Sequence, residues 1–520
     1  MINNLILVSM PYIVPTSPPL GIASLKSYIE SNSKTQVTCI DINQLFTQDM
    51  INTIQEENKT IDQKAKEFLE ISKLLKTDEL YADELKLKQS LKAFSDFLTT
   101  INNNTIKTSK EYLQGERTDL DLMDKYTETI LIKKPELIGF SIGYPDQLKN
   151  SIAMAKRLKE KNPNIKIIFG GSLLDKSKKY SNFFKKHKLI VDYIIYDQGE
   201  SGLLALVKGK ELTKIPNLVY MKDNETKQNH EGILTNFENV PFADFSDFKL
   251  SEYYTPNLVL PILSAKGCYW RRCSFCTHHN SYSHKYAAKN VKRFVEELEH
   301  YNKTYRAKYF YFSDEMISAP RFEKIADEII SKRLNINYSA LVKPTNDFSL
   351  KILEKMHKSG CTILISGIES GNQRILDLID KGTNVKANEE FLKHANIAGI
   401  KNVCYIFIGF PTETKEELED TKNFIVNNEK IINYLLIAKF LLEENSLIMK
   451  NPEKFQIIIK EPIKINNKTV INNFEVLTKD GIQPNSRVYQ EYLDFFQNFK
   501  GGQYGLGRFR EHMLIYYSKI

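Results

Sequence analysis

Short apolar runs alternate with amphipathic helical stretches twice along this chain, and that alternation limits the fold more than any other feature. A buried strand followed by a helix is the unit that carries a chain from one parallel strand to the next, with helices covering the sheet. In the first series, strands are expected at 2–10, 36–42, 136–141, 165–169 and 191–196, with helices at 20–31 and 147–161 between them. This predicts an α/β domain with a Rossmann-like parallel sheet over residues 1–205. The stretch 47–131 is Lys/Glu-rich and helical in pattern, and reads as an insertion into that domain. Residues 206–255 read as a connector, with a hairpin pairing 217–220 with 232–236.

The second series begins at Leu258. Strands are expected at 258–264, 309–313, 336–341, 362–367 and 402–407. Five or six βα units in roughly 180 residues suit a partial (β/α)6 TIM barrel, over 256–444, better than a second Rossmann sheet. Residues 445–520 are mixed and aromatic-rich, and are expected to form a small C-terminal cap.

Composition narrows the functional classes. With 42% hydrophobic and 26% charged residues, the chain is of ordinary globular type. Its formal net charge of +8 is scattered over helical faces, which reads as solvation and gives no nucleic-acid footprint. No apolar stretch is long enough to span a membrane, and the N-terminus reads as a strand with no secretory leader, so a cytoplasmic location is expected. Six cysteines make no disulfide framework in a chain of 520 residues. Three of them, Cys268, Cys273 and Cys276, fall within nine residues.

That clustering points to a metal. Thiolates on one short loop can wrap an iron–sulfur cluster, and three ligands where four are possible leave an open position for chemistry. A Cys3His zinc site with His278 or His279 is the alternative. The loop follows the first strand of the second series, the end where barrel active sites lie. Cys361 and Cys404 read as small buried hydrophobes.

The cysteine loop and the three strand ends downstream of it resemble the radical S-adenosylmethionine (SAM) superfamily. Phe275 precedes the last cysteine, as is common there. The stretches Tyr311-Phe312-Ser313-Asp314-Glu315, Ser366-Gly367-Ile368-Glu369-Ser370-Gly371-Asn372 and Ile406-Phe407-Ile408-Gly409-Phe410-Pro411-Thr412-Glu413-Thr414 come in the family's order. One departure is plain: four residues separate Cys268 from Cys273, where three are usual. The resemblance implies a 4Fe-4S cluster on the three cysteines. It implies SAM contacts from Phe275, Asp314, Glu369, Ser370 and Gly409, with Arg374 or Lys381 near the methionyl carboxylate. Tyr269 and Trp270 either shield the cluster or contact a cobalamin, or else pack the loop.

The first domain resembles the cobalamin-binding domain found upstream of many radical enzymes. The match rests on Thr16-Ser17-Pro18-Pro19-Leu20-Gly21, on Ser141 and Gly143 at one strand end, and on Gly170-Gly171-Ser172 at another. Pro18 stands where related proteins often carry a cobalt-ligating histidine, and no histidine occurs in the first 150 residues. The resemblance therefore implies a cobalamin with no protein imidazole on its lower face. It further implies radical formation from SAM, methyl transfer to an unactivated carbon of a peptide or small metabolite, and a flavodoxin- or ferredoxin-type reductant. Ring contraction, cyclisation, epimerisation or a non-enzymatic metal- and corrinoid-binding sensor are the competing readings.

Overall fold

The computed structural model describes the chain except residues 13, 57–62, 175–179, 233–235, 278–285, 466–468, 479, 484–485, 500–505 and 507–508. His278 and His279, the candidate zinc ligands, lie outside the described residues. The chain divides into two compact units, one over Met1–Pro261 and the other from Ile262 onward.

The first unit is built on a seven-stranded sheet of order β2-β1-β3-β4-β5-β6-β7. β1 (Asn4–Ser9), β2 (Gln36–Asp41), β3 (Leu137–Ser141), β4 (Lys166–Gly170) and β5 (Tyr193–Ile195) pair in parallel. β1 is buried at every position but its first, which is why it reads as a continuous apolar run. α1 (Leu20–Asn32) follows β1, and α6 (Pro145–Lys161) follows β3. The chain reverses its lateral direction between β1 and β3, which opens a crevice at the C-terminal ends of those strands.

The sheet is mixed, not wholly parallel. β6 (Leu218–Lys222) adds antiparallel to β5 and turns back into β7 (Glu225–Gln228). The hairpin's second limb therefore starts earlier than expected. Asp223 and Asn224 both adopt positive φ, 51° and 59°, and make the two-residue turn that matches strand twist.

The insertion is helical, as its composition predicts, and starts directly from β2. It comprises α2 (Ile42–Glu56), α3 (Gln63–Leu74), α4 (Glu84–Gln114) and α5 (Leu122–Leu131). Asp83 caps α4 by accepting from Lys86 N, and Gly115 ends it in the left-handed region. Leu87, Leu91, Phe94 and Leu98 form its buried stripe at helical spacing. Phe68 of α3 stacks on Phe94, and α4 also packs on α6.

The second unit holds a six-stranded sheet of order β15-β14-β13-β12-β11-β8. These strands are β8 (Val259–Ile262), β11 (Tyr309–Phe312), β12 (Asn337–Val342), β13 (Cys361–Glu369), β14 (Lys401–Ile408) and β15 (Ile432–Lys439). Two-residue strands β9 (Ala265–Lys266) and β10 (Ala287–Ala288) pair antiparallel beside it. β15 lies beyond the last expected strand and completes six. The covering helices are α9 (Val291–Tyr305), α10 (Ala319–Ser331), α11 (Leu350–Lys358), α12 (Gln373–Ile379), α13 (Val385–Ile397) and α14 (Lys415–Asn427). Phe312 shows how they attach: it packs edge-on to Phe294 of α9 and stacks with Phe322 of α10. The C-terminal region carries α15 (Leu447–Lys450), the antiparallel pair β16 (Ile457–Ile465) and β17 (Thr469–Val476), then α16 (Arg487–Asn498) and α17 (Arg510–Tyr517). α17 packs across β11, β12 and β13.

Candidate active site

The three thiols sit half-buried on the loop after β8, and none is in a disulfide. The loop is tied to the end of α12. Ser274 N donates to Ile379 O (2.8 Å), Ser274 Oγ to Leu378 O (3.0 Å), and Trp270 Nε1 to Asp380 O (2.7 Å). Cys276 N donates to Cys273 O (3.2 Å), a turn that brings those two residues round. Phe275 projects the other way, edge-on to Phe407 at 4.9 Å, and anchors the loop in the core.

The unusual spacing has a local cause. Arg271, between Cys268 and Cys273, takes φ +60°, and Gly267 takes +78°. A left-handed non-glycine residue lets the chain double back and absorb an added position. Trp270 is thereby laid over Gly382, where a Cβ would come within 2.0 Å of its ring. The side of Trp270 is also covered by a cation, since Lys343 Nζ lies 3.3 Å from the ring centroid and 5.7 Å from that of Tyr269. Tyr269 and Trp270 are thus packing residues of the loop. Lys343, just past the end of β12 and 3% exposed, was not singled out from sequence, because one lysine among many carries no pattern.

Burial pushes the Cys273 thiol up to about 11, against the pull of Lys381 and Lys343. Among the described residues, no three His, Cys, Asp or Glu side chains converge as a single ion requires. A 4Fe-4S cluster places its ligands on separate irons, so three thiols on one loop fit it without converging on a point. Two buried ammonium groups beside the loop suit the negative charge of a thiolate-bound cluster.

The end of β13 carries a buried ion pair. Glu369 accepts from Lys381 Nζ, and both side chains are almost wholly buried. The pair lies across Gly367: a Cβ there would fall 2.3 Å from both Glu369 Oε1 and Lys381 Nζ. Glu369 itself has φ +62°, and the β13–β14 register shifts between Gly367 and Glu369. Left-handed backbone at a non-glycine strand end is strain of the kind found at ligand sites.

Other expected residues are engaged elsewhere. Asp314, 2% exposed, accepts from Ser264 N (2.9 Å) and Ser264 Oγ (2.6 Å), and burial pushes it up to about 6. It locks the ends of β8 and β11 together. Ser370 bonds Thr421 Oγ1 at 3.1 Å, within the core. Arg374 grips Glu417 with two bonds, 2.5 and 2.6 Å, and Thr412 with two more. Cys361 and Cys404 are buried, as expected for small hydrophobes. Gly409, φ +81°, lies under Tyr489, whose ring a Cβ would meet at 2.4 Å. Gly409 N donates to Glu413 Oε2 (2.7 Å). Glu413 is 1% exposed, its other oxygen has no partner among the described residues, and burial pushes it up to about 8. Its place in the third motif gives no sign of this burial, which brings it close to Tyr489 of α16.

In the first unit, Ser141, Gly143, Gly170, Gly171 and Ser172 gather at the C-terminal ends of β3 and β4. Ile142 N donates to Gly170 O (2.7 Å), and Leu173 N to Ile142 O (3.0 Å). Gly171 has φ +107°, and a Cβ there would strike Ile142 O at 2.4 Å. The glycine pair therefore lets two strand-end loops interlock, and leaves an edge lined by small side chains. A cavity of about 60 Å³ lies past the ends of β1 and β2, between Tyr12, Asn43 and the α4 residues Ser95, Thr99 and Asn102.

A parallel six-stranded sheet with a three-thiol loop after its first strand defines a class of partial-barrel metalloenzyme. Residues 262–425 match the family model of the Radical SAM superfamily, so this region is a radical SAM domain. That family implies a 4Fe-4S cluster, SAM and a reductant. An uncharacterized methyltransferase of Pyrococcus horikoshii is 25% identical over 59% of this chain and 70% of its own length. The cobalamin-dependent SAM radical enzyme OxsB, with aqua-cobalamin and SAM bound, superimposes with a TM-score of 0.61 at 15% identity, over 87% of this chain. The chain spans 61% of the OxsB length. The radical SAM methyltransferase TsrM of Kitasatospora setae, with cobalamin and a [4Fe-4S] cluster bound, gives a TM-score of 0.59 at 14% identity, over 88% of this chain and 77% of TsrM. No helix among the described residues is long and apolar enough to cross a membrane.

Proposed function

We propose that the protein is a cobalamin-dependent radical SAM methyltransferase acting on a carbon centre of a peptide or small metabolite. The observation that carries this reading is the union, in one chain, of the three-thiol barrel loop with a Rossmann-like sheet edged by Ser141, Gly143, Gly170, Gly171 and Ser172. The fold shared with OxsB and TsrM over most of the chain supports it. When bound, the cluster with SAM supplies a 5′-deoxyadenosyl radical, and cobalamin supplies a transferable methyl group.

The residues have separable tasks. Cys268, Cys273 and Cys276 would hold the cluster. Glu369 and Lys381 form a buried pair of opposite charge, complementary to the ammonium and carboxylate of an amino-acid end; either partner can exchange its protein contact for a ligand contact without leaving a buried charge alone. Gly409 would border the adenine at the end of β14, with Tyr489 packed over it. Phe275 holds the loop, and Asp314 holds the first two strand ends. In the first unit the small edge would admit a corrin.

The test is anaerobic reconstitution with iron, sulfide, cobalamin and methyl-labelled SAM under a flavodoxin or ferredoxin reductant. Label on cobalamin, with S-adenosylhomocysteine and 5′-deoxyadenosine both released, is expected. 5′-Deoxyadenosine alone, with no label on cobalamin, would overturn methyl transfer in favour of another radical reaction.

A further inference from the structure

We infer that Arg510, projecting into the concave face of the barrel sheet, is a specificity-determining residue that binds a carboxylate of the substrate. The inference rests on the proposed enzymatic function and names a substrate class for it.

Arg510 opens α17. Its Nη1 donates to Tyr311 Oη, its Nη2 donates to Tyr405 Oη at 3.0 Å, and its guanidinium carbon lies 5.1 Å from the Tyr311 ring centroid. Tyr311 is on β11 and Tyr405 on β14, with β12 and β13 between them. One guanidinium can reach both only across the hollow of the curved sheet. Strand parity agrees. Phe310 and Phe312, which alternate with Tyr311, are buried on the side where Phe312 meets α9 and α10.

Height along the strands places the group beside the site. Tyr405 pairs in register with Gly367, the residue across which the Glu369–Lys381 pair lies. Arg510 and both tyrosines are half-buried, so the cluster retains open surface inside the hollow.

The donor set is built for an anion that the described residues do not supply. Phenol oxygens are neutral acceptors, and Glu511, next along the helix, attracts Arg510 only at longer range. Holding a guanidinium away from bulk water without a carboxylate costs several kcal/mol, which a bound anion would offset. A second observation points the same way. Ser339 on β12 is the register partner of Tyr311 and so faces the same hollow. It is fully buried, and its hydroxyl has no hydrogen-bond partner among the described residues. A guanidinium fork, an unsatisfied hydroxyl and two phenols make a carboxylate cradle, with aromatic walls that suit a flat or apolar carrier.

The probe is benzoate, with benzyl alcohol as its uncharged counterpart, titrated calorimetrically into the reconstituted holoenzyme at constant ionic strength. Benzoate is expected to bind, benzyl alcohol to bind at least about ten-fold more weakly, and R510Q to lose benzoate binding by a similar factor. R510K keeps the charge but not the fork, and is expected to fall between. Y405F, which frees one guanidinium prong, is expected to keep benzoate binding, and guards against loss through misfolding in R510Q. Equal binding of the acid and the alcohol, no benzoate binding by the wild type, or unchanged binding in R510Q would overturn the assignment. Release of 5′-deoxyadenosine without substrate, followed in the same samples, reports on the proposed enzymatic function separately.

Discussion

Glu413→Gln isolates one buried proton. Glu413 lies in the loop after β14, pinned through one oxygen by Gly409 N, with Tyr489 above and Glu417 and Arg374 nearby. Burial pushes it from 4.5 to about 8. The folded protein then keeps its proton at pH values where the unfolded chain has released it. Stability from this group is complete below pH 4.5 and is lost as pH rises towards 8. At about 1.4 kcal/mol per unit, the whole window is worth about 5 kcal/mol. Glutamine reproduces the protonated shape and still accepts from Gly409, so the variant should lack this decline. Its amide leaves a donor unpaired, a roughly constant cost of about 1–3 kcal/mol. Asp41 and Asp314, each pushed by burial up to about 6, tilt both proteins equally and cancel in the difference. Urea unfolding of the full chain at pH 5, 6, 7 and 8 measures it. Wild-type stability minus variant stability should shrink steadily with pH. A difference that stays level would show that Glu413 is ionised in the folded state, and the argument from burial would fail.

Further tests address the thiol loop and its supports. Serine at Cys268, Cys273 or Cys276 should abolish cluster absorbance and SAM cleavage while leaving far-UV circular dichroism unchanged, since all three thiols are half-buried on a loop and lie outside the packed core. Gly382→Ala places a methyl against Trp270 at a residue with φ +68°, and should cost about 1–3 kcal/mol. Trp270 is the single tryptophan, so its emission should shift to the red, and an unshifted spectrum would refute the seating described. Lys381→Met leaves Glu369 buried and alone, with an expected loss of about 3–5 kcal/mol. Adding Glu369→Gln should recover much of that in thermal denaturation, though not SAM binding.

Much of this protein is legible in its sequence because it obeys local rules. The β1, β3, β4, β13 and β14 strands are buried on both faces, so each reads as an unbroken apolar run wherever it sits. Cys268, Cys273 and Cys276 lie on one loop, so spacing alone brings them together. The small residues at the ends of β3 and β4 are likewise set by short-range backbone packing.

What sequence left open depends on partners far along the chain. Asp314 and Ser370 keep their motif positions, but their side chains are claimed by Ser264 and Thr421. Arg374 and Lys381 look equivalent in sequence; α14 supplies Glu417 to the first, and only the second meets Glu369. The added residue before Cys273 is absorbed by a left-handed Arg271 because Gly382 offers Trp270 a place to lie. Arg510 carries no motif at all. Its place opposite Tyr311 and Tyr405 comes from strand order and the docking of the last helix, which no local pattern encodes.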